Sequence, residues 1–219
     1  MNNDLYVSHN RPFFLKEIQS LSNLYLDPLF EIFKNNGGHI FPHHSKPIQL
    51  VIDFKTGANK TYRKLQEILI PYHSMLTRWE NGFEIPGAIT IVISGNRPVK
   101  RMAEKTNRWM CLDGRLEDIG KNYSPSLMPV ISDKYSKVFG WNIFSKPPSQ
   151  EKLLRLHAVS NNVHAEGKKL RLWGSPENEL VWNALLEAGA DIINTDSLSQ
   201  LSTYFLEKET STPMASGSK

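Results

Sequence analysis

Three aspartates lie at or near the ends of short apolar runs, and their side chains suit the binding of a divalent cation. Asp53, Asp113 and Asp196 offer carboxylate oxygens, which are the ligands that Mg²⁺ and Ca²⁺ prefer in proteins. Helix caps and surface ion pairs would account for the same acids. Asp196 in particular precedes Ser197 at a predicted helix start, where an acid is favourable without any metal. Both interpretations remain open on spacing alone.

Basic and amide side chains follow three of the same runs and suit the binding of a phosphate. Lys55, Arg97 and Arg115 are cations, and Asn96 belongs to a Gly-Asn-Arg-Pro turn that we expect to expose backbone N–H groups. Ion pairing with neighbouring carboxylates is the alternative. The two interpretations are compatible, because a site with Asp, Lys, Arg and a bound cation suits a phosphodiester.

Two further residues are candidates for the same site. His9 ends a strand-like segment and has the side chain of a general acid or base, although a solvent-facing histidine near the chain start explains it as well. Trp173 ends a later strand-like run, where it would line a pocket.

The elements that must position these residues repeat as an apolar run, a polar end and, in most cases, a helix-like segment. Six runs have this form: residues 49–55, 88–97, 109–115, 127–133, 169–173 and 191–196. The repeat is typical of a parallel α/β sheet or barrel, in which chemistry gathers at the carboxyl ends of the strands. The sequence therefore predicts one rim that carries the candidate residues.

The number of strands predicts an incomplete barrel. Six strands and a short first one at residues 5–9 fall short of the eight in a TIM-type (β/α)₈ barrel, which typically needs roughly 250 residues. We expect the first one or two β-α units to be absent. Residues 1–207 are predicted to form one barrel domain, and the small polar residues 208–219 a disordered tail.

Composition narrows the class of protein. The chain has 219 residues, 40% of them hydrophobic, and a net charge of +4 without a long basic tract, which favours a small anionic partner over nucleic acid. The single cysteine, Cys111, lies in an apolar run and is predicted to be a core residue. No apolar run is long enough to cross a bilayer and the start has no signal-peptide pattern, so we expect a soluble protein of undetermined compartment.

Seven segments, in this order and spacing, resemble the phosphatidylinositol phospholipase C-like phosphodiesterase superfamily. Within it the chain resembles the altered inheritance of mitochondria protein 6 family, which is related to glycerophosphodiester phosphodiesterases. The segments are residues 5–9, 24–29, 50–55, 92–98, 112–115, 170–173 and 191–196.

The resemblance implies a TIM-type barrel that cleaves a phosphodiester with two histidines and a divalent cation, Mg²⁺ or Ca²⁺. His9 matches the second histidine of the family, and Asp53 and Lys55 match its acid-x-Lys strand. Further positions at the barrel mouth are matched by Asn96, Arg97, Asp113, Trp173 and Asp196. The implied substrate is a small phosphodiester or a phospholipid headgroup, which would place the protein in lipid metabolism.

The chain departs from the family pattern at its start. The first histidine and a Glu-x-Asp metal pair are expected before His9, and the eight residues that precede it contain neither. A catalytically inactive paralogue that binds phosphate or a phospholipid headgroup is therefore the alternative function. A barrel enzyme acting on sugar phosphates is disfavoured, because no Gly-rich phosphate loop follows a late strand.

Overall fold

The computed structural model describes residues 4–8, 19–140 and 149–211. The chain divides into two compact units, each with three parallel strands. Unit 1 comprises residues 1–113 with 126–129, and unit 2 comprises residues 114–125 with 130–219.

Unit 1 alternates helices with strands along the chain. A π-helical turn, Ser22–Leu26, leads directly into the first α-helix, and a 3₁₀ segment, Ile70–Met75, follows the second. Its elements are α1 (Asp27–Asn35), β1 (Ile48–Phe54), α2 (Ala58–Leu69), β2 (Arg78–Glu80), β3 (Phe83–Ile85), β4 (Ile89–Gly95), α3 (Val99–Ala103) and β5 (Met110–Gly114).

The sheet of unit 1 places β4 between β1 and β5, and all three strands are parallel. Asp53 lies opposite Ser94, and Ile93 lies opposite Leu112. The middle of β4 and all of β5 are buried, which explains their almost continuous apolar sequence. Because neighbouring parallel strands run the same way, the carboxyl ends of β1, β4 and β5 share one edge of this sheet.

A β-hairpin formed by β2 and β3 is a separate two-stranded sheet within unit 1. Its turn is Asn81-Gly82, with φ angles of 52° and 85°, as a two-residue hairpin turn of the favoured type requires. The hairpin contributes Trp79, which packs with Val92 and Cys111 in the core. The prediction of Cys111 as a core residue is confirmed, and burial raises the pKa of its thiol to about 12.

Unit 2 repeats the strand–helix alternation. A short 3₁₀ turn, Leu116–Asp118, precedes its first strand. Its elements are β6 (Val130–Lys134), α4 (Tyr135–Phe139), α5 (Gln150–Ala165), β7 (Lys169–Trp173), α6 (Glu179–Glu187), β8 (Ile192–Ile193) and α7 (Leu198–Ser211). The strand β7 pairs in parallel with β6 on one side and with β8 on the other, so that Lys134 lies opposite Trp173.

The predicted α/β class is confirmed, since each of the six predicted strand regions overlaps one of the parallel strands. The predicted domain boundary at residue 207 falls within α7, and residues 212–219 lie outside the described part of the chain. None of the helices in residues 4–8, 19–140 and 149–211 has the length and apolar character needed to span a membrane.

Candidate functional site

Five of the predicted site residues lie at the carboxyl end of the unit 1 sheet. Their positions follow from the strand order, because β1, β4 and β5 are neighbours and parallel. The five residues, which we call the unit 1 rim, are Asp53, Lys55, Asn96, Arg97 and Asp113.

Asp53 and Lys55 are two exposed members of the unit 1 rim. The Lys55 ammonium donates to Asp53 Oδ2 at 2.7 Å, and about half of each side chain is exposed. The other carboxylate oxygen lies against the backbone of Gly95, where a Cβ would stand 2.0 Å from Asp53 Oδ1. An exposed ion pair adds only about 0–1 kcal/mol to folding, so both groups can exchange this contact for one to a ligand.

The turn after β4 is held to the neighbouring strand. The Asn96 N–H donates to the Phe54 carbonyl at 2.9 Å, and its side-chain amide donates to the Thr56 carbonyl at 3.0 Å. The Arg97 N–H donates to the Gly95 carbonyl at 3.0 Å. The expectation that this turn exposes its backbone N–H groups is therefore wrong at Asn96 and Arg97, because protein carbonyls accept from both.

Asp113 is the buried member of the unit 1 rim, with 3% of its surface exposed. Its Oδ2 accepts a hydrogen bond of 2.7 Å from the Ser94 hydroxyl on the adjacent strand. Its backbone carbonyl accepts from Arg97 Nη1 at 2.8 Å. Asp113 thus holds Ser94 and Arg97 in place at the end of β4.

The remaining predicted residues with described positions belong to unit 2. Arg115 Nη1 donates to the Gly114 carbonyl at 2.9 Å and to the Ser132 hydroxyl at 3.3 Å. The ring of Trp173 has the Lys134 ammonium 5.9 Å from its centroid, within the range of a cation–π contact. These contacts attach both side chains to β6, that of Arg115 at its middle and that of Trp173 at its end.

Asp196 is exposed and begins the approach to α7. Its backbone N–H donates to Glu177 Oε1 at 2.5 Å. This hydrogen bond, together with one from the Ser197 hydroxyl, lowers the pKa of Glu177. The carboxylate that supports this helix start is therefore Glu177, which the sequence interpretation had not considered.

A cation site is not completed by the described residues. Within residues 4–8, 19–140 and 149–211, no three His, Cys, Asp or Glu side chains come close enough together to hold one metal ion. Ca²⁺ takes about 6–8 oxygen ligands and Mg²⁺ about six, so two carboxylates at the unit 1 rim are a partial set. His9 lies outside the described residues.

Two residues that the sequence interpretation missed shape the unit 1 rim. Ser94 holds the Asp113 carboxylate, and Gly95 makes room for that of Asp53. A signal was present in both cases, because a serine and a glycine interrupt the apolar run just before the Asn-Arg pair. Their exact partners could not be read from the sequence, since they depend on the register of three strands.

Comparisons with known proteins agree on one family. The family model of the AIM6-like phosphodiesterase domain matches residues 1–113, just over half of the chain. The altered inheritance of mitochondria protein 6 homolog of Arthroderma benhamiae is 25% identical over 93% of this chain and 71% of its own length. The altered inheritance of mitochondria protein 6 of Eremothecium gossypii is also 25% identical, over 91% of this chain and 59% of its own length.

No solved structure matches the chain significantly. The family match covers the unit 1 rim, which consists of residues at the carboxyl ends of three neighbouring strands. The resemblance found in the sequence motifs is therefore confirmed, and the chain belongs to the AIM6-like phosphodiesterase domain family.

Proposed function

We propose that the protein is a phosphoric diester hydrolase of the phospholipase C-like type. One observation supports this most: the Asp53–Lys55 ion pair and the turn carrying Arg97 end neighbouring strands at one sheet edge. Acidic and basic groups at such an edge suit a phosphodiester, whose charge must be neutralised as water attacks phosphorus. The family to which the chain belongs is the second support.

In this proposal the substrate phosphate binds between two cations. The Lys55 ammonium leaves Asp53 for a phosphoryl oxygen, and the Arg97 guanidinium adds charge at the same edge. Water forms a new bond to phosphorus while the bond to one ester oxygen breaks, which yields a phosphomonoester and an alcohol. His9 is proposed as the acid or base that moves a proton between water and the leaving oxygen.

Asn96, Arg115 and Trp173 are proposed to bind the rest of the substrate, a small phosphodiester or a phospholipid headgroup. A divalent cation, Mg²⁺ or Ca²⁺, is proposed with Asp53 as one ligand, because Asp53, Asp113 and Asp196 do not form one cluster among the described residues. When bound, it would supply positive charge to the phosphoryl oxygens. An incomplete TIM-type barrel is the proposed architecture of the whole chain.

The experiment is the hydrolysis of bis(p-nitrophenyl) phosphate by the 219-residue protein with Mg²⁺, with Ca²⁺ and with a chelator. The monoester p-nitrophenyl phosphate is the matched control for a diester-specific site. We expect release of nitrophenol from the diester and much less from the monoester. Saturable binding of the diester without turnover would instead support the inactive, phosphate-binding paralogue.

The role of His9 needs a separate variant. We expect His9→Ala to lower the rate of diester hydrolysis by about 10²–10⁴-fold, the usual contribution of a positioned general acid or base. A rate equal to that of the unmodified protein would remove His9 from the proposal and leave the rest of the unit 1 rim in place.

A further inference from the structure

A cavity of about 680 Å³ lies in unit 1, away from the candidate active site. This volume is within the range of about 300–1,000 Å³ that small-molecule sites occupy. Its wall is formed by the end of α2, the hairpin and the segment before β5. Its lining includes Arg63, Ile70, Trp79, Asn107, Arg108 and Trp109.

The cavity is at the amino ends of the strands, whereas the unit 1 rim is at their carboxyl ends. Arg108 and Trp109 directly precede β5, and the hairpin strand with Trp79 precedes β4. A strand rises about 3.3 Å per residue, so the seven residues of β4 separate the two ends by about 20 Å. The cavity is therefore distinct from the site proposed for phosphodiester hydrolysis.

Arg108 places a buried positive charge on the cavity wall. Only 7% of its surface is exposed, and its guanidinium lies 4.4 Å from the centroid of the Trp79 ring. Nη2 donates to the Ser126 hydroxyl at 3.1 Å, but Nε has no hydrogen-bond partner in the described part of the chain. Burial lowers the pKa of Arg108, which is the mark of a charge taken out of water.

No carboxylate of the described residues forms an ion pair with Arg108. Glu84 raises its pKa slightly, but from beyond ion-pair distance. A buried charge without a counter-charge costs free energy, and natural proteins usually pair it. An anion bound in the cavity would supply the missing partner.

Trp79 lies on the same cavity wall, with its ring against the Arg108 guanidinium. It is 3% exposed, and its indole N–H has no acceptor among the described residues. Buried indole N–H groups normally find a partner. Two adjacent side chains of the wall, both more than nine-tenths buried, thus keep N–H groups that no described residue satisfies.

The other charges of the wall leave this positive charge uncompensated. Its two acids already have cations: Lys64 donates to Glu67 at 3.0 Å, and Arg78 donates to Glu80 at 2.7 Å. Arg63 is exposed and contacts only the Asn59 carbonyl, at 3.4 Å, among described groups. The wall therefore has two arginines, Arg63 and Arg108, and no carboxylate assigned to either.

We propose that this cavity binds a small organic anion, with its phosphate or carboxylate group at the Arg108 guanidinium, beside the Trp79 ring. Arginine suits both groups, because its planar guanidinium offers two parallel donors to a pair of oxygens. The exposed Ile70 and the half-buried Trp109 provide an apolar surface for the rest of the ligand. Asn107 and Arg63 lie on the wall as further polar contacts.

The test is a titration of the 219-residue protein with phenyl phosphate, with benzoate and with phenol. Binding is measured by calorimetry and by NMR of the indole ¹⁵N–¹H signals. Trp79→Phe assigns the signal of Trp79. We expect saturable binding of one or both anions with a shift of the Trp79 signal, and at least about tenfold weaker binding of phenol, which lacks the charge. The tighter of the two anions identifies the oxyanion that the site prefers.

Variants separate this site from the unit 1 rim. We expect Arg108→Gln to weaken anion binding by about tenfold or more, and Arg63→Ala by about threefold, because one lost charge is buried and the other exposed. Arg97→Ala at the unit 1 rim and Arg155→Ala, an exposed arginine of α5, should leave the Trp79 shift unchanged.

Three results would overturn the proposal: phenol binding as tightly as the anions, Arg108→Gln binding as tightly as the unmodified protein, or titration without a Trp79 shift. Circular dichroism checks that Arg108→Gln folds. If it does not fold, Arg63→Ala and the Trp79 shift decide the question, because neither depends on that variant.

Discussion

The carboxylate of Asp53 lies over the α-carbon of Gly95 on the neighbouring strand, so closely that a Cβ there would stand 2.0 Å from Oδ1. The same Cβ would stand 2.6 Å from the Phe54 carbonyl oxygen. The conformation of Gly95, with φ at +68°, and its lack of a side chain are both needed for this approach. Position 95 thus sets where the accessible acid of the unit 1 rim can lie.

Gly95→Ala should therefore destabilise the protein and displace Asp53. We expect the free energy of unfolding to fall by about 2–4 kcal/mol, of which about 1–2 kcal/mol comes from the left-handed backbone and the remainder from the clash. Gly82→Ala is the matched control, because Gly82 has φ at +85° but nothing within 4 Å of its Cβ position. Urea unfolding measures both variants, and equal losses would contradict the role of the Asp53 contact.

Ser94→Ala should affect the buried acid of the unit 1 rim. The variant removes the hydroxyl that donates to Asp113 Oδ2. A hydrogen bond to a charged group contributes about 1.5–3 kcal/mol to the free energy of unfolding, so we expect a loss of this size. We expect a lower midpoint of urea unfolding with an unchanged slope. Ser199→Ala, at an exposed position of α7, is the control and should change stability by less than about 0.5 kcal/mol.

The sequence predicted the strands well, because buried parallel strands are apolar along their whole length. The residues of β4 and β5 show this most clearly, and the polar residues that end them were predicted at the same edge of one sheet. What the pattern could not supply is register. The contacts of Asp53 with Gly95 and of Asp113 with Ser94 depend on which residues of two strands lie side by side.

The β2–β3 hairpin was not predicted, although its turn has a recognisable sequence. Asn81-Gly82 is a strong signal for a two-residue hairpin turn, but β2 and β3 have only three residues each and little apolar alternation. The cavity lined by the hairpin was not predicted either. Arg108 follows the polar residues Lys105-Thr106-Asn107 in the sequence, and only the packing of the hairpin buries its guanidinium against Trp79.

Glu166→Gln should remove part of the acid sensitivity of unit 2. The Glu166 carboxylate accepts from the fully buried Lys168 ammonium and from the Gly120 N–H, and the Lys168 bond is the main cause of its lowered pKa. A carboxyl whose pKa is lower in the folded state adds stability above its unfolded pKa of about 4.3, and this stability is lost as the pH falls through the folded value.

We therefore expect Glu166→Gln to lower the melting temperature at pH 7 and to reduce the further fall between about pH 5 and pH 3. Glu151→Gln is the control, because Glu151 forms an exposed ion pair with Arg155 on α5. Thermal unfolding across this pH range measures both. Parallel curves for Glu166→Gln and the unmodified protein would show that the Lys168 contact does not contribute.

Asp53→Asn should weaken the proposed divalent cation site. Mutation of a residue that only supports a metal ligand typically weakens metal binding by about 10–100-fold. Loss of a ligand itself should weaken cation binding at least as much. Calorimetric titration with Mg²⁺ and with Ca²⁺ measures the change, with Glu151→Gln as a control for general surface charge. Equal cation affinity in Asp53→Asn and the unmodified protein would exclude Asp53 as a ligand.

The most direct test of the account is the kcat/KM for bis(p-nitrophenyl) phosphate in Lys55→Ala, with the unmodified protein and Arg155→Ala measured alongside. Lys55 forms an exposed ion pair with Asp53, so its loss should change the free energy of unfolding by no more than about 1 kcal/mol. If the Lys55 ammonium binds the phosphoryl oxygens, kcat/KM should fall by about 10²-fold or more in Lys55→Ala and stay unchanged in Arg155→Ala. Equal kcat/KM values in all three proteins, or no diester hydrolysis by the unmodified one, would contradict the proposed active site.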